Sequence, residues 1–241
     1  MRISKLLSSM LALSVLALSF AGCTAQTDPS GSISSTAALT SGTATSAESE
    51  TAENTGVETE SSEGSSSRVL VVYFSRTGEQ YNVGVIDKGN TAIVAEMIAE
   101  SADADIWEVL PTDDHYPMTY SELTDVAKQE QNDNARPAYA GEAPDLSQYD
   151  TIFIGAPVWW GDWPMIMYTF FEDNKDGLSG KTLIPFSTHE GSGLSGFDKK
   201  LAAVCPDSTI KDGLAIQGQD AQNDQDGVRA RVDEWVAGLG L

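Results

Sequence analysis

Val69-Leu70-Val71-Val72-Tyr73-Phe74, followed at once by Ser75-Arg76-Thr77-Gly78, is the stretch on which the fold turns. Six consecutive aliphatic and aromatic residues leave no polar face. A strand with one wet side alternates, whereas a strand buried on both sides reads as a continuous apolar run. Three further runs follow at 105–110, 151–156 and 182–187, with a weaker one at Leu214-Ala215-Ile216. Helical patterns alternate with them. Residues 91–102 carry Val94, Met97, Ile98 and Ser101 on one side, and 121–131 bring Leu123 and Ala127 together. Pro164 suits the start of an apolar helix reaching Asn174. Val228, Val232, Trp235, Val236 and Leu239 form one stripe of a last helix. This alternation predicts a parallel sheet covered by helices on both faces, a three-layer α/β domain over residues 68–241.

Upstream of Arg68 the composition changes abruptly. Residues 24–67 are mostly Ser, Thr, Ala, Gly and Glu, too poor in large apolar side chains to offset the entropy of ordering. They read as a disordered tether. Before them, Arg2 and Lys5 precede an apolar run at 6–20 that is short for a permanent span. Its end, Leu18-Ser19-Phe20-Ala21-Gly22-Cys23, resembles a bacterial lipobox. The resemblance implies a signal peptide at 1–22, a tether at 23–67 beginning with a lipidated Cys23, and an extracytoplasmic domain held to the cell membrane by lipid alone. A diacyl anchor contributes roughly 0.8 kcal/mol per buried CH₂, enough for firm attachment.

With Cys23 lipidated, Cys205 stands alone and no internal disulfide forms; only His115 and His189 accompany it, and no metal-ligand spacing is present. From Arg68 onward 29 acidic residues stand against 12 basic ones, a net charge of −17. Such a surface repels nucleic acid and anionic lipid. It serves solubility, and it also suits steering of a basic partner.

Ligands of open α/β sheets sit beyond the carboxyl ends of the strands. Three loops of unusual composition follow strands here. The first runs from Ser75-Arg76-Thr77-Gly78 to Asn90-Thr91, where a helix begins. Hydroxyls and free N–H groups at a helix start make an anion site, and Gly78 allows close backbone approach. Arg76 faces either the anion or solvent. The segment from Gly84 to Thr91 nearly matches a nucleotide P-loop, but Asn90 stands where the lysine belongs. The strand at 151–156 also lacks a terminal Asp for magnesium, so nucleotide hydrolysis is disfavoured. The second loop, Pro157-Val158-Trp159-Trp160-Gly161-Asp162-Trp163-Pro164, holds three tryptophans in five residues, more aromatic area than a surface loop carries without a ligand or partner. The third is Thr188-His189-Glu190-Gly191-Ser192-Gly193-Leu194, whose glycines permit tight turns.

Taken in order, these loops resemble those of flavodoxins. Ser75, Thr77, Gly78 and Thr91 match the phosphate loop of that family, interrupted by an insert at 79–89. The resemblance spans 68–241 and implies a five-stranded flavodoxin-like sheet of order 2-1-3-4-5 with FMN as cofactor. It places Ser75, Thr77, Gly78, Asn90 and Thr91 at the phosphate. Pro157, Val158, Trp159, Trp160 and Gly161 fall against the isoalloxazine ring, with the Gly161 carbonyl a candidate to turn towards flavin N5 on one-electron reduction. Thr188, His189, Glu190, Gly191 and Gly193 line the pyrimidine side. There Glu190 would lower the reduction potential, and His189 is either a plain loop residue or a proton donor. The segment from 115–120 through 134–137, after the second strand, reads as structural cover near the site. No catalytic residue and no metal are implied.

The function expected is that of an FMN-binding redox protein passing electrons at the outer face of the cytoplasmic membrane. Its partner would be an unidentified redox protein or a quinone. Two alternatives stay open: an NAD(P)H-dependent quinone or flavin reductase, and a non-redox binding module on the same fold. Scarcity of NAD(P)H outside the cell favours the carrier over the enzyme.

Overall fold

Each residue of the apolar run at 69–74 faces one of two cores. Leu70, Val72 and Phe74 enter one cluster, and Val69, Val71 and Tyr73 enter the other. This strand is therefore the centre of a three-layer sandwich, and the absence of alternation in its sequence has a direct cause. The computed structural model describes residues 68–241; the expected signal peptide, the tether and Cys23 lie outside the described residues.

The elements in chain order are β1 (Val69–Tyr73), β2 (Gly78–Gln80), β3 (Gly84–Ile86), α1 (Asn90–Ala102), β4 (Asp105–Glu108), α2 (Tyr120–Asp133), β5 (Thr151–Pro157), α3 (Met165–Asp173), α4 (Lys175–Leu178), β6 (Thr182–His189), α5 (Phe197–Val204), β7 (Thr209–Ile210), β8 (Leu214–Gln217), α6 (Gly218–Asn223) and α7 (Gln225–Leu239), with a short 3₁₀ turn at Leu146–Gln148. The parallel sheet runs β4-β1-β5-β6, and both β7 and β8 then pair with β6. β7 lies beside Thr182 and Leu183, and β8 beside Phe186 to His189. They form one interrupted strand, so the six segments fill five positions in the order 2-1-3-4-5. Leu123 of α2, Ile166 and Phe170 of α3 and Leu201 of α5 pack in the first core. Ile93, Val94 and Ile98 of α1 and Val228, Val232 and Val236 of α7 pack in the second.

The insert at 79–89 folds rather than loops. β2 and β3 make an antiparallel hairpin pairing Gly78 with Ile86. It is fastened on both flanks. On one side the Glu79 N–H donates to the Met118 carbonyl at 2.8 Å, and the Tyr120 N–H donates to the Glu79 carboxylate at 2.9 Å. On the other, Gln219 donates to the Asn82 carbonyl at 2.8 Å and Gln222 to the Lys88 carbonyl at 2.9 Å. The hairpin thus spans from α2 to α6 over the carboxyl edge of the sheet. Among the described residues no helix is long and apolar enough to cross a membrane.

Candidate functional site

β5 ends at Pro157, paired with Thr188 one residue before the end of β6, and the Val158 N–H donates to the Thr188 carbonyl at 2.9 Å. Beyond these strand ends opens a cleft of about 510 Å³, within the range of cofactor pockets. Pro157, Val158, Trp159, Trp160 and Gly161 line it from the second loop, Thr188, His189, Glu190 and Ser192 from the third, and Asn90 from the start of α1. Gln80 and Tyr81 of the hairpin and Tyr120, Leu123, Thr124 and Ala127 of α2 complete the wall.

The three tryptophans of the second loop have different surroundings. Trp163 is 1% exposed, stacks on Phe197 at 3.6 Å between centroids and donates to the Phe197 carbonyl at 3.3 Å. Trp159 meets Phe74 and Tyr116 edge-on, at 5.4 and 5.2 Å. Trp160 is 53% exposed. The Trp159 and Asp162 main chains exchange hydrogen bonds of 2.9 and 3.0 Å, closing a two-residue turn with φ of 51° at Trp160 and 74° at Gly161. Positive φ at both central residues is the signature of a type I′ turn. For a residue bearing Cβ, the left-handed region costs about 1–2 kcal/mol, so this loop holds a bulky indole in a conformation that glycine prefers. The indole N–H donates to the Thr124 carbonyl at 2.8 Å, and the Lys128 ammonium stands 5.0 Å from the ring centre. The Lys200 ammonium fastens the turn to the third loop: it donates to the Gly161 carbonyl and, at 3.0 Å, to the Ser195 carbonyl, and lies 3.2 Å from the Asp162 carboxylate.

In the first loop the Ser75 hydroxyl accepts the Ala92 N–H at 3.1 Å, capping α1. The Ile93 N–H is taken by the Gly89 carbonyl. The N–H groups of Asn90 and Thr91 have no acceptor among the described residues. The Thr91 hydroxyl is buried against the Thr188 hydroxyl at 2.7 Å, joining the first and third loops. The Asn90 side-chain oxygen accepts from Gln222 at 2.8 Å. Ser75 and Thr77 line a second, smaller cavity of about 250 Å³, shared with Asp87, Lys88 and Gly89; consecutive residues Gly89 and Asn90 thus line one cavity each. A Cβ on Gly78 would stand 2.7 Å from the Met118 carbonyl oxygen, so its close approach is to the chain itself. Arg76 is turned inward, donating to the Asp114 carboxylate at 2.7 Å and to the Tyr116 carbonyl at 2.9 Å.

In the third loop the Gly191 N–H donates to His189 Nδ1 at 2.9 Å. Gly191 has φ of 111° and Gly193 of 61°, and the Gly193 carbonyl accepts from Ser187 at 3.1 Å. These two glycines shape the loop rather than lining the cleft. Burial, and then the Arg231 guanidinium, lower the His189 pKa below its ordinary value. The Glu190 carboxylate accepts the Gln219 N–H at 3.0 Å at the start of α6. Burial raises its pKa, against the pull of the Gln219 and Gly218 N–H groups.

At the mouth lies an aromatic pair of which sequence reasoning passed over Tyr81 and took Tyr120 only as structural cover near the site. Tyr81, at the hairpin tip, stacks on Tyr120 at 5.4 Å and 30°. Its signal was an aromatic residue in a short polar insert, exposed by 53%. His115 and Tyr116 are tied instead to the buried Glu130, at 2.9 and 3.2 Å, behind Trp159. Among the described residues no group of three or more His, Cys, Asp or Glu is placed to hold a metal ion.

A Flavodoxin family profile matches residues 68–236. A candidate flavoprotein from Bacteroides eggerthii is 30% identical over 70% of this chain and 98% of its own, with a TM-score of 0.54. A second, from Bacteroides uniformis, is 29% identical over 71% and 98%, with a TM-score of 0.55. A Lactobacillus acidophilus flavoprotein solved in complex with FMN shares the fold at 21% identity over 66% and 98%, with a TM-score of 0.51. No curated protein matches. A profile match running from before β1 into α7, on a sheet of this order, makes the chain a member of the flavodoxin family.

Proposed function

We propose that the chain binds FMN in the 510 Å³ cleft and passes electrons at the outer face of the cytoplasmic membrane, held there by lipid on Cys23. The observation that carries the reading is the cleft itself. It lies at the carboxyl edge of a parallel sheet, is walled by an exposed indole, and ends at the start of α1. The residues fit the cofactor. The Asn90 and Thr91 N–H groups, at the positive end of α1, would hold the phosphate; Ser75 and Thr77 line the smaller cavity, which meets the same helix start through Gly89. The Trp160 ring would stack on the isoalloxazine, with Pro157, Val158, Trp159 and Gly161 beside it. The part of the third loop that lines the cleft, His189, Glu190 and Ser192, would face its pyrimidine edge, with Glu190 near enough to disfavour negative charge on the reduced ring. Bound FMN supplies reversible uptake of electrons. The chain's own part is to hold the ring, keep water from one face and leave an edge open to a partner. The FMN complex of the Lactobacillus acidophilus relative supports this choice of cofactor. A domain charge of −17 suits docking to a basic redox protein, with a quinone as the other acceptor class.

The Tyr81–Tyr120 pair favours a second reading, a reductase whose second planar substrate rests on that surface. One set of measurements separates the readings. Purified protein, or protein given FMN, should show flavin absorbance bands and quenched flavin fluorescence. Slow or absent bleaching by NADPH without oxygen marks the carrier, and rapid bleaching the reductase. Colourless protein that binds no added FMN refutes both and leaves a non-redox module.

A further inference from the structure

The structure assigns His189 a defined role: we infer that it presents its Nε2–H as a hydrogen-bond donor to the ligand of the main cleft, with Gly191 fixing the tautomer that makes this possible. The ligand's identity as FMN rests on the reading above; the tautomer does not.

The argument begins at the turn. Gly191 has φ of 111°, a conformation that side chains rarely adopt. That backbone brings its N–H to His189 Nδ1 at 2.9 Å. A main-chain N–H can only donate, so Nδ1 must be the acceptor. A neutral imidazole carries one proton, which then sits on Nε2. Adding a second proton would set donor against donor and break the turn. The other groups facing the ring agree: Arg231 of α7 opposes a positive charge, as burial does, while Asp220 of α6 works weakly the other way, and the neighbouring Glu190 carboxylate is engaged by α6. Among the described residues Nε2 has no hydrogen-bond partner. Among the described residues the sealed-off side-chain polar atoms without a partner are Arg76 Nε and Thr169 Oγ1. His189 Nε2 is therefore open, on a residue that lines the cleft. A half-buried N–H donor, locked in orientation and unpaired among the described residues, is a recognition element for an acceptor brought by a ligand. The carbonyl and ring-nitrogen edge of a flavin offers such acceptors.

The test uses the purified protein, with FMN as probe and long-range ¹H–¹⁵N correlation spectra as the direct readout. Before FMN is added, the His189 ring should show the Nε2–H tautomer at pH 8. FMN should then protect that proton from exchange. Two variants divide donor from spacer. His189→Gln keeps an N–H near the Nε2 position and should bind FMN within about twofold of wild type. His189→Asn keeps an acceptor for the Gly191 N–H but loses the distal donor, and should bind about five- to tenfold more weakly, the loss of one hydrogen bond. An Nδ1–H tautomer overturns the inference. So does an Asn variant that binds like wild type, or a Gln variant weaker than Asn, which would leave His189 only the work of holding the turn. Wild-type protein that binds no FMN ends the cofactor reading and this inference with it; failure confined to the variants or the tautomer ends this inference alone.

Discussion

Replacing Trp160 separates what the second loop does for the fold from what it does for a ligand. Trp160→Ala removes an exposed hydrogen bond to Thr124 and a cation–π contact with Lys128, together about 1–2 kcal/mol. Trp160→Gly removes the same contacts but also relieves the left-handed strain at φ of 51°, worth about 1–2 kcal/mol, against roughly 0.5–1 kcal/mol of extra backbone entropy lost by glycine. The glycine variant should therefore be the more stable of the two by several tenths to about 1 kcal/mol, the reverse of the order at an ordinary position. Urea unfolding followed by far-UV circular dichroism measures it. Both variants should bind FMN about two- to twelvefold more weakly, the worth of about 0.5–1.5 kcal/mol of lost stacking, read by fluorescence titration. An alanine variant more stable than the glycine variant would refute the turn geometry. Undiminished FMN binding in both would refute the stacking role.

Trp163, three residues on, should behave in the opposite way: Trp163→Ala empties a fully buried site against Phe197 and Phe171 and should cost about 3–5 kcal/mol in urea unfolding. Thr91→Val should destabilise by about 1–3 kcal/mol because it strands the buried Thr188 hydroxyl; adding Thr188→Val should recover most of that loss, and a double variant no better than the single one would show that the two hydroxyls do not depend on each other. The two histidines should give pH effects of opposite sign. The Glu130 hydrogen bond raises the His115 pKa, so its contribution is complete below about pH 6.5 and fades as pH rises through the folded value. Burial lowers that of His189, so its contribution is present above about pH 6.5 and fades as pH falls towards the folded value. Unfolding free energies of His115→Gln and His189→Asn between pH 5 and 9 should diverge from wild type at opposite ends, and parallel curves would refute the assignment.

The parts of the fold legible in the sequence were those buried on both faces. β1, β5 and β6 carry uninterrupted apolar runs because each contributes to two cores. The fifth position was half-read: Leu214 to Ile216 stood out, but β7 is only two residues long and carries no pattern. The hairpin escaped notice because Val85 lies exposed and its strands bury little, so no alternation marks them. At the site, the three loops could be placed at one sheet edge from their position after strands. Individual side chains could not be resolved this way. Trp160 and Trp163 differ in exposure only because a positive-φ turn throws one outward and lets the other return to the core. The Ser75 hydroxyl suits a phosphate and a helix cap equally well in sequence, and here it holds the Ala92 N–H.

Because Gly78 and Ile86 are ladder partners, the two ends of the hairpin stand only about 5 Å apart. The chain leaves the sheet edge and returns to almost the same point, so the excursion is a detachable cassette. Deleting residues 79–85 behind a single bridging residue would leave every pairing of the parallel sheet in place, since none of the deleted residues belongs to it. What would vanish is one side of the cleft mouth, Gln80 and Tyr81, and the hydrogen bonds that Glu79 and Asn82 make to the flanks. Ligand preference at that mouth could then be exchanged without rebuilding the scaffold beneath it.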